Sequence, residues 1–222
     1  MQKLKVKALK IFGLAPIILG IIFFVPAGSF RFWEAWVYSA VIIIPMIFVV
    51  RYFLKRNPDI LERRLQFKEK EPQQKKIVRI GNILFFIAMI LPGLDYRFGL
   101  SDIPAVMVFS SDAMVLAGIF IYFLVLKENS YASRTIEVQE GQKVISTGPY
   151  SVVRHPMYSA VGIMYLFTPI ALGSYWAIIP MLLIIPIIVL RILNEEEILK
   201  KDLPGYTEYV TKTRYRLIPF IW

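Results

Sequence analysis

The chain has no cysteine and a single histidine among its 222 residues. The first absence excludes disulfides, thiolate metal sites and a cysteine nucleophile. With His155 the one imidazole available, a zinc site is not expected either. Acids are few as well: 16 Asp and Glu stand against 26 Lys and Arg, for a net charge of +10. Charge of either sign is missing over long stretches. From Met157 to Leu190 none occurs in 34 positions. A straight helix of that length would reach about 51 Å, more than a bilayer is thick.

Hydrophobic residues make up 57% of the chain, where a soluble domain carries roughly 45–50%. Mean hydropathy is +0.58. The composition is that of an integral membrane protein, so bilayer thickness sets the limits on its elements. The basic balance does not imply nucleic acid, because the cations lie between apolar blocks and topology accounts for them. The opening MQKLKVKALK leads into an apolar run with no convincing cleavage site, and is read as the start of a first anchored span.

Six apolar blocks follow, at Leu9–Ala27, Trp33–Leu54, Ile80–Leu94, Ile103–Leu126, Met157–Leu172 and Tyr175–Leu190. About 20 residues are needed to cross. The third block is short and must borrow neighbours such as Tyr96 and Phe98. The uncharged tract is expected to fold back at Ala171–Ser174 into a hairpin with two short limbs, with Pro169, Pro180 and Pro186 as kink points. The expected fold is therefore all-α and polytopic, with about six transmembrane helices and a C-terminal helical hairpin.

Six crossings put both ends on one side. That side collects Lys3, Lys5, Lys7 and Lys10, nine Lys/Arg in 55–79, four in 127–154 and six from Arg191 onward, whereas the other receives Arg31 and Arg97. The positive-inside rule makes the first side, with both termini, cytoplasmic. In the loop 55–79, Leu61, Leu65 and Phe67 could seat a short surface helix; the plainer expectation is a solvated basic loop near anionic lipid heads. Asp112 interrupts the fourth block. An intramembrane acid is a functional candidate, but Ser110-Ser111-Asp112 reads better as the N-cap of a helix beginning near Ala113.

Polar residues concentrate in two stretches, Glu128–Tyr158 and the segment from Asn194 onward. The fold-back returns to the side it left, so His155 and Glu195 are expected close together at one membrane face. Two polar stretches converging there would make a site.

The residues Gly148-Pro149-Tyr150, then Arg154-His155-Pro156 and Tyr158, resemble the signature of the isoprenylcysteine carboxyl methyltransferases and their phospholipid N-methyltransferase relatives. Asn129-Ser130-Tyr131 before it, and Glu195-Glu196, Tyr206, Tyr209 and Leu217–Ile221 after it, are similar to that family in order and spacing. The resemblance covers about residues 115–222. It implies a methyltransferase-like core there, with residues 1–114 supplying helices on the acceptor side. It also implies S-adenosylmethionine as cofactor on the cytoplasmic side, and a lipophilic methyl acceptor held between helices. The short chain suits a prokaryotic member, in a plasma membrane rather than the endoplasmic reticulum. No metal and no nucleic acid are expected.

On that resemblance, Gly148, Pro149, Tyr150, Arg154, His155, Pro156, Tyr158, Glu195, Glu196, Tyr206 and Tyr209 are the candidate cofactor-binding residues. Glu195 or Glu196 can accept from ribose hydroxyls or the ammonium. They point about 100° apart on a helix, so one can bind while the other stays solvated. Arg154 and His155 can meet the carboxylate. The four tyrosines can wall the adenine or the sulfonium. A carboxylate acceptor needs a cationic clamp, for which Arg214 and Arg216 are candidates. An ammonium acceptor must first lose a proton, which Glu128 or one of the paired acids could take. Two rivals stay open: a sterol-type membrane reductase using NADPH, which would need a denser basic pocket, and a non-catalytic membrane protein, whose polar groups would lie nearer the midplane.

Overall fold

The structure is a computed structural model that describes residues 2–65, 72–133, 135 and 138–222, with only the backbone of residues 3, 5, 72 and 73. Phe67 of the expected surface helix, and Lys68, Lys70 and Arg134 among the loop cations, lie outside the described residues.

Eight α-helices and one short 3₁₀ turn are formed by the described residues. The helices are α1 (Gln2–Ala27), α2 (Trp33–Arg56), α3 (Pro58–Arg64), α4 (Pro72–Phe98), α5 (Ala105–Glu128), α6 (Pro156–Ala171), α7 (Ile178–Asp202) and α8 (Tyr206–Lys212). Five of them, α1, α2, α4, α5 and α7, are long and apolar enough to cross a membrane. The protein is a polytopic all-α membrane protein. The sixth apolar helix, α6, has 16 residues and spans about 24 Å, short of the hydrocarbon thickness.

Prolines set several of the boundaries. Pro58, Pro72 and Pro156 open α3, α4 and α6, where the missing N–H costs nothing because the first turn has no intrahelical acceptor for it. Pro104 stands at the N-cap of α5. Consequently α5 begins at Ala105, and Ser110-Ser111-Asp112 do not cap it. Asp112 instead lies two turns inside the helix and is 4% exposed. The third block does borrow its flanks, since α4 runs through Tyr96 to Phe98.

The hairpin forms, with its turn after Ala171. Its second limb is longer than expected. α7 has 25 residues and continues through Asn194-Glu195-Glu196-Glu197 to Asp202. Glutamate, leucine and lysine are good helix formers, so loss of apolar character at Asn194 does not end the helix; Pro204-Gly205 does. The described part of the loop after α2 is not simply a solvated stretch. α3 forms there and buries Ile60, Leu61 and Leu65.

Two apolar cores, one near each end of the bundle, show how the helices alternate. One gathers Phe23 and Ala27 at the end of α1, Ala35 at the start of α2, Ala171 at the end of α6 and Met181 at the start of α7. The other gathers Leu4 and Ala8 at the start of α1, Val50 and Phe53 at the end of α2, Leu126 at the end of α5, and α3. Hence α1, α4 and α6 run away from the second core, and α2, α5 and α7 return towards it. α5 and α6 make the most extensive contact. A Cβ added at Gly118 would sit 2.6 Å from Met164 Cγ and 3.0 Å from the Ala160 carbonyl oxygen. Small residues let backbones approach in this way where lipid offers no hydrophobic drive between helices. A third cluster, Leu203, Tyr206 and Tyr209 against Val138, Val144 and Tyr150, forms a cap outside the bundle.

Candidate functional site

The two polar stretches meet beneath the hairpin. Pro156 starts α6, which leaves Arg154 and His155 in a non-helical bend immediately before it. Their N–H groups donate to the carbonyls of Tyr215 and Arg216, at 2.8 and 2.9 Å. Ser159 Oγ donates to the Leu217 carbonyl at 2.7 Å. The C-terminal segment is thus stitched along the Arg-His-Pro loop.

Glu196 is the anchor behind that loop. Its Oε1 accepts from Arg154 Nε at 2.7 Å and from His155 Nε2 at 3.2 Å. Its Oε2 accepts from Arg216 Nε at 3.1 Å. Arg154 Nη1 donates further to the carbonyls of Thr213 and Arg214. Arg154, His155 and Glu196 are all buried, so the carboxylate is removed from water but satisfied by charged donors, as a buried ion must be.

Glu195 faces the other way. It lines a cavity that offers about 930 Å³ of empty space, its open mouth included. Tyr158 links the cavity's charged groups: its hydroxyl donates to Glu195 Oε2 at 2.7 Å and accepts from Arg191 Nε at 2.9 Å. Tyr150, Tyr206 and Tyr209 complete an aromatic wall. Asn129 Nδ2 donates to the Tyr150 hydroxyl at 2.9 Å, and the Tyr209 hydroxyl donates to the Tyr150 carbonyl at 2.7 Å. Burial pushes the Tyr150 hydroxyl up to about 12, the Asn129 hydrogen bond opposing it in part. Burial pushes Tyr206 and Tyr209 up as well. All three are neutral donors at physiological pH. The Tyr206 hydroxyl is buried with no partner among the described residues.

A second cavity adjoins the first. It lies between α4, α6 and α7 and shares Ser133, Thr135, Met157, Tyr158 and Arg191 with it. Its remaining walls are mainly apolar, among them Val78, Phe85, Val161 and Ile188, with Arg64 and Asn82 as further polar groups. Arg64 donates to the Ser133 carbonyl at 2.6 Å and to the Tyr122 hydroxyl, which fastens α3 to the rim of the first cavity.

Of the residues singled out in the sequence, Tyr150, Arg154, His155, Pro156, Tyr158, Glu195, Tyr206 and Tyr209 line the first cavity. Gly148, Pro149 and Glu196 stand behind its walls. Gly148 has φ of +56°, and an added Cβ would lie 3.0 Å from the Glu128 carboxyl carbon. Glu128 itself is exposed, accepts from the Thr147 hydroxyl, and lines neither cavity. Arg214 is exposed, and Arg216 is spent on Glu196 and on the Trp222 ring, 5.1 Å from its centroid. Neither arginine lines either of these two cavities. Arg191 had been counted only as a topological charge. Its place four residues before Glu195 on one helix is the spacing that brings two side chains to the same face.

A comparison with curated proteins gives no match. Residues 106–204, from the first turn of α5 to just past the end of α7, match the phospholipid methyltransferase family.

Proposed function

We propose that the protein is an S-adenosylmethionine-dependent membrane methyltransferase that methylates a lipophilic acceptor, with its cofactor in the first cavity and its acceptor in the second. The observation that carries this reading is the junction of the two cavities at Tyr158 and Arg191, where a polar chamber opens onto an apolar slot between helices. The family match supplies the reaction class.

The residues present suit the cofactor. The unpartnered Tyr206 hydroxyl supplies a donor already stripped of water, which favours a ligand acceptor in its place. Glu195, with one oxygen taken by Tyr158, keeps acceptor capacity for ribose hydroxyls or an ammonium. The tyrosine wall offers faces for an adenine ring or a sulfonium. Glu196 acts one layer out, holding Arg154 and His155 in position. When bound, S-adenosylmethionine supplies an activated methyl group and a neutral thioether leaving group. The chain's part is to align the acceptor with that methyl group and to keep water away from both.

The acceptor is an anion, most simply a carboxylate as in isoprenylcysteine-type compounds. Two cations, Arg64 and Arg191, flank the junction, and Glu195 is the one acid among the described residues lining either cavity. A carboxylate is already ionised at neutral pH and needs a clamp rather than a base. Arg191 and Arg64 provide it from the positions where Arg214 and Arg216 had been expected. The second reading is N-methylation of an aminophospholipid, favoured by the family's own description; Glu195 would then take the proton from the ammonium. In both readings residues 1–114 contribute the outer wall of the acceptor slot, and the site faces the cytoplasm of a prokaryotic plasma membrane, following the Lys and Arg distribution.

The test is calorimetric titration of the purified protein with S-adenosylhomocysteine, in detergent and in nanodiscs. It is followed by transfer of labelled methyl from S-adenosylmethionine to prenylcysteine analogues and to aminophospholipids. Saturable binding and labelled ester support the first reading, and labelled amine the second. No binding in either medium overturns both.

A further inference from the structure

An apolar groove runs along the outer surface between α2 and α5, and it shares no lining residue with the two cavities of the proposed site. Ile44 and Phe48 form one bank, and Leu116, Phe120 and Phe123 the other, around about 1310 Å³ of empty space open along one side. Tyr52 and Phe123 close one end, their rings edge to face at 5.1 Å. Phe48 and Phe120 are 69% and 60% exposed, so no element among the described residues covers the groove.

Two features define its occupant. The first is length. From Ile44 to Lys55 the axis of α2 rises about 16 Å, which matches the roughly 15 Å of hydrocarbon in one leaflet. The second is charge. Arg51 and Lys55 are the charged residues lining the groove, and both stand at the same end. They are four apart on one helix face, both are exposed, and neither has an ion-pair partner among the described residues. That end lies where α2 leaves the bundle at Arg56, the level of lipid headgroups. An apolar channel one leaflet long with two cations at its polar end fits an acyl chain and a phosphate.

We propose that this groove is a binding site for an anionic phospholipid, one acyl chain lying between α2 and α5 and its phosphate held by Arg51 and Lys55, in the leaflet on the same side as the cofactor cavity. The proposal is independent of the catalytic reading, since it rests on other helices and other residues. Long basic side chains near helix ends also snorkel to the interface without binding any one lipid. What distinguishes a site from snorkelling is the need for both the concave surface and the charges.

The experiment is native mass spectrometry of the full chain released from mixed micelles. The micelles contain phosphatidylglycerol and phosphatidylcholine of identical chain length. The wild type is expected to retain one phosphatidylglycerol in preference to phosphatidylcholine. The combined change Arg51→Gln and Lys55→Gln is expected to reduce that preference by about tenfold. Leu116→Trp, which fills the groove and leaves both cations in place, is expected to reduce retention of either lipid. Size-exclusion profiles and melting curves confirm that each variant is folded, and the wild-type preference stands as a test even where a variant is not. Equal retention of the two lipids by the wild type overturns the proposal. So does an unchanged preference in the charge variant, or unchanged retention in Leu116→Trp, which would leave only attraction to a basic surface.

Discussion

Arg154 and Glu196 meet across the hairpin, Nε to Oε1 at 2.7 Å, with side chains only 4% and 2% exposed. They stand 42 positions apart in sequence, so the pair records the fold-back directly. The same carboxylate also takes His155 and Arg216, and thereby fixes the Arg-His-Pro loop and the C-terminal segment to α7. Glu195, its neighbour, makes none of these bonds and faces the cavity instead. The two adjacent acids therefore differ in role, and substitutions should separate them. Glu196→Ala leaves the Arg154 and Arg216 guanidinium groups around a missing charge and is expected to cost about 3–5 kcal/mol of stability, read as a fall in melting temperature. Glu195→Gln is expected to melt near the wild type and to lose affinity for S-adenosylhomocysteine. Equal effects of both changes on melting would refute the division.

The Tyr206 hydroxyl is buried without a partner among the described residues, an arrangement that costs free energy. Tyr206→Phe removes the cost along with the group. The melting temperature is expected to stay level or rise. Affinity for S-adenosylhomocysteine is expected to fall about tenfold, roughly 1.4 kcal/mol. Calorimetry alongside thermal melting checks both directions, and an unchanged affinity would assign the hydroxyl no ligand.

Gly148 combines a left-handed backbone with a tight approach to Glu128. Gly148→Ala meets both obstacles: about 1–2 kcal/mol for the conformation and a further cost for the contact. Adding Glu128→Ala removes the contact and leaves the backbone strain. The double variant is expected to recover part of the lost melting temperature. Full recovery would show that the conformation carries no cost.

The raised hydroxyls of Tyr150, Tyr206 and Tyr209 set an alkaline limit. A tyrosine whose folded pKa lies above its unfolded value stabilises the fold fully below about pH 10, and that contribution is lost as pH rises through the folded value. For Tyr150 the window runs from about 10 up to about 12. Melting temperature measured across that window is expected to fall with pH, and Tyr150→Phe is expected to flatten part of the fall. A slope identical in wild type and variant would remove Tyr150 from the account.

Much of this architecture was legible in the chain. The uncharged tract Met157–Leu190 could not cross the bilayer straight, and Gly173 marked its turn, so the meeting of His155 with the acids followed from length alone. Other parts were not legible. Periodicity does not report that Pro104 rather than Asp112 starts α5, because both precede apolar runs. Charge runs do not show that α7 continues to Asp202, since helix propensity outlasts hydrophobicity there. The use of Glu196 as an anchor and Glu195 as a cavity wall depends on which face of α7 meets the loop, and adjacent identical residues carry no sign of that. Arg191 and Arg64 were hidden among the many cations that topology already explained.

The separation of the two cavities gives the sharpest kinetic test. Val161 lines the slot between α4, α6 and α7 and is absent from the walls of the first cavity. Val161→Trp would fill the slot with an indole and leave Glu195, Tyr206 and the Arg-His-Pro loop untouched. If the acceptor's apolar body lies there, binding of the acceptor is weakened and the cofactor is unaffected. KM for a prenylcysteine or aminophospholipid acceptor is expected to rise about tenfold, equivalent to roughly 1.4 kcal/mol of lost binding. Affinity for S-adenosylhomocysteine is expected to match the wild type. A smaller change at the same place, Val161→Ala, should leave both nearly unaltered, which controls for general loosening of α6. A rise in the cofactor's dissociation constant with unchanged acceptor KM would reverse the assignment of the two cavities.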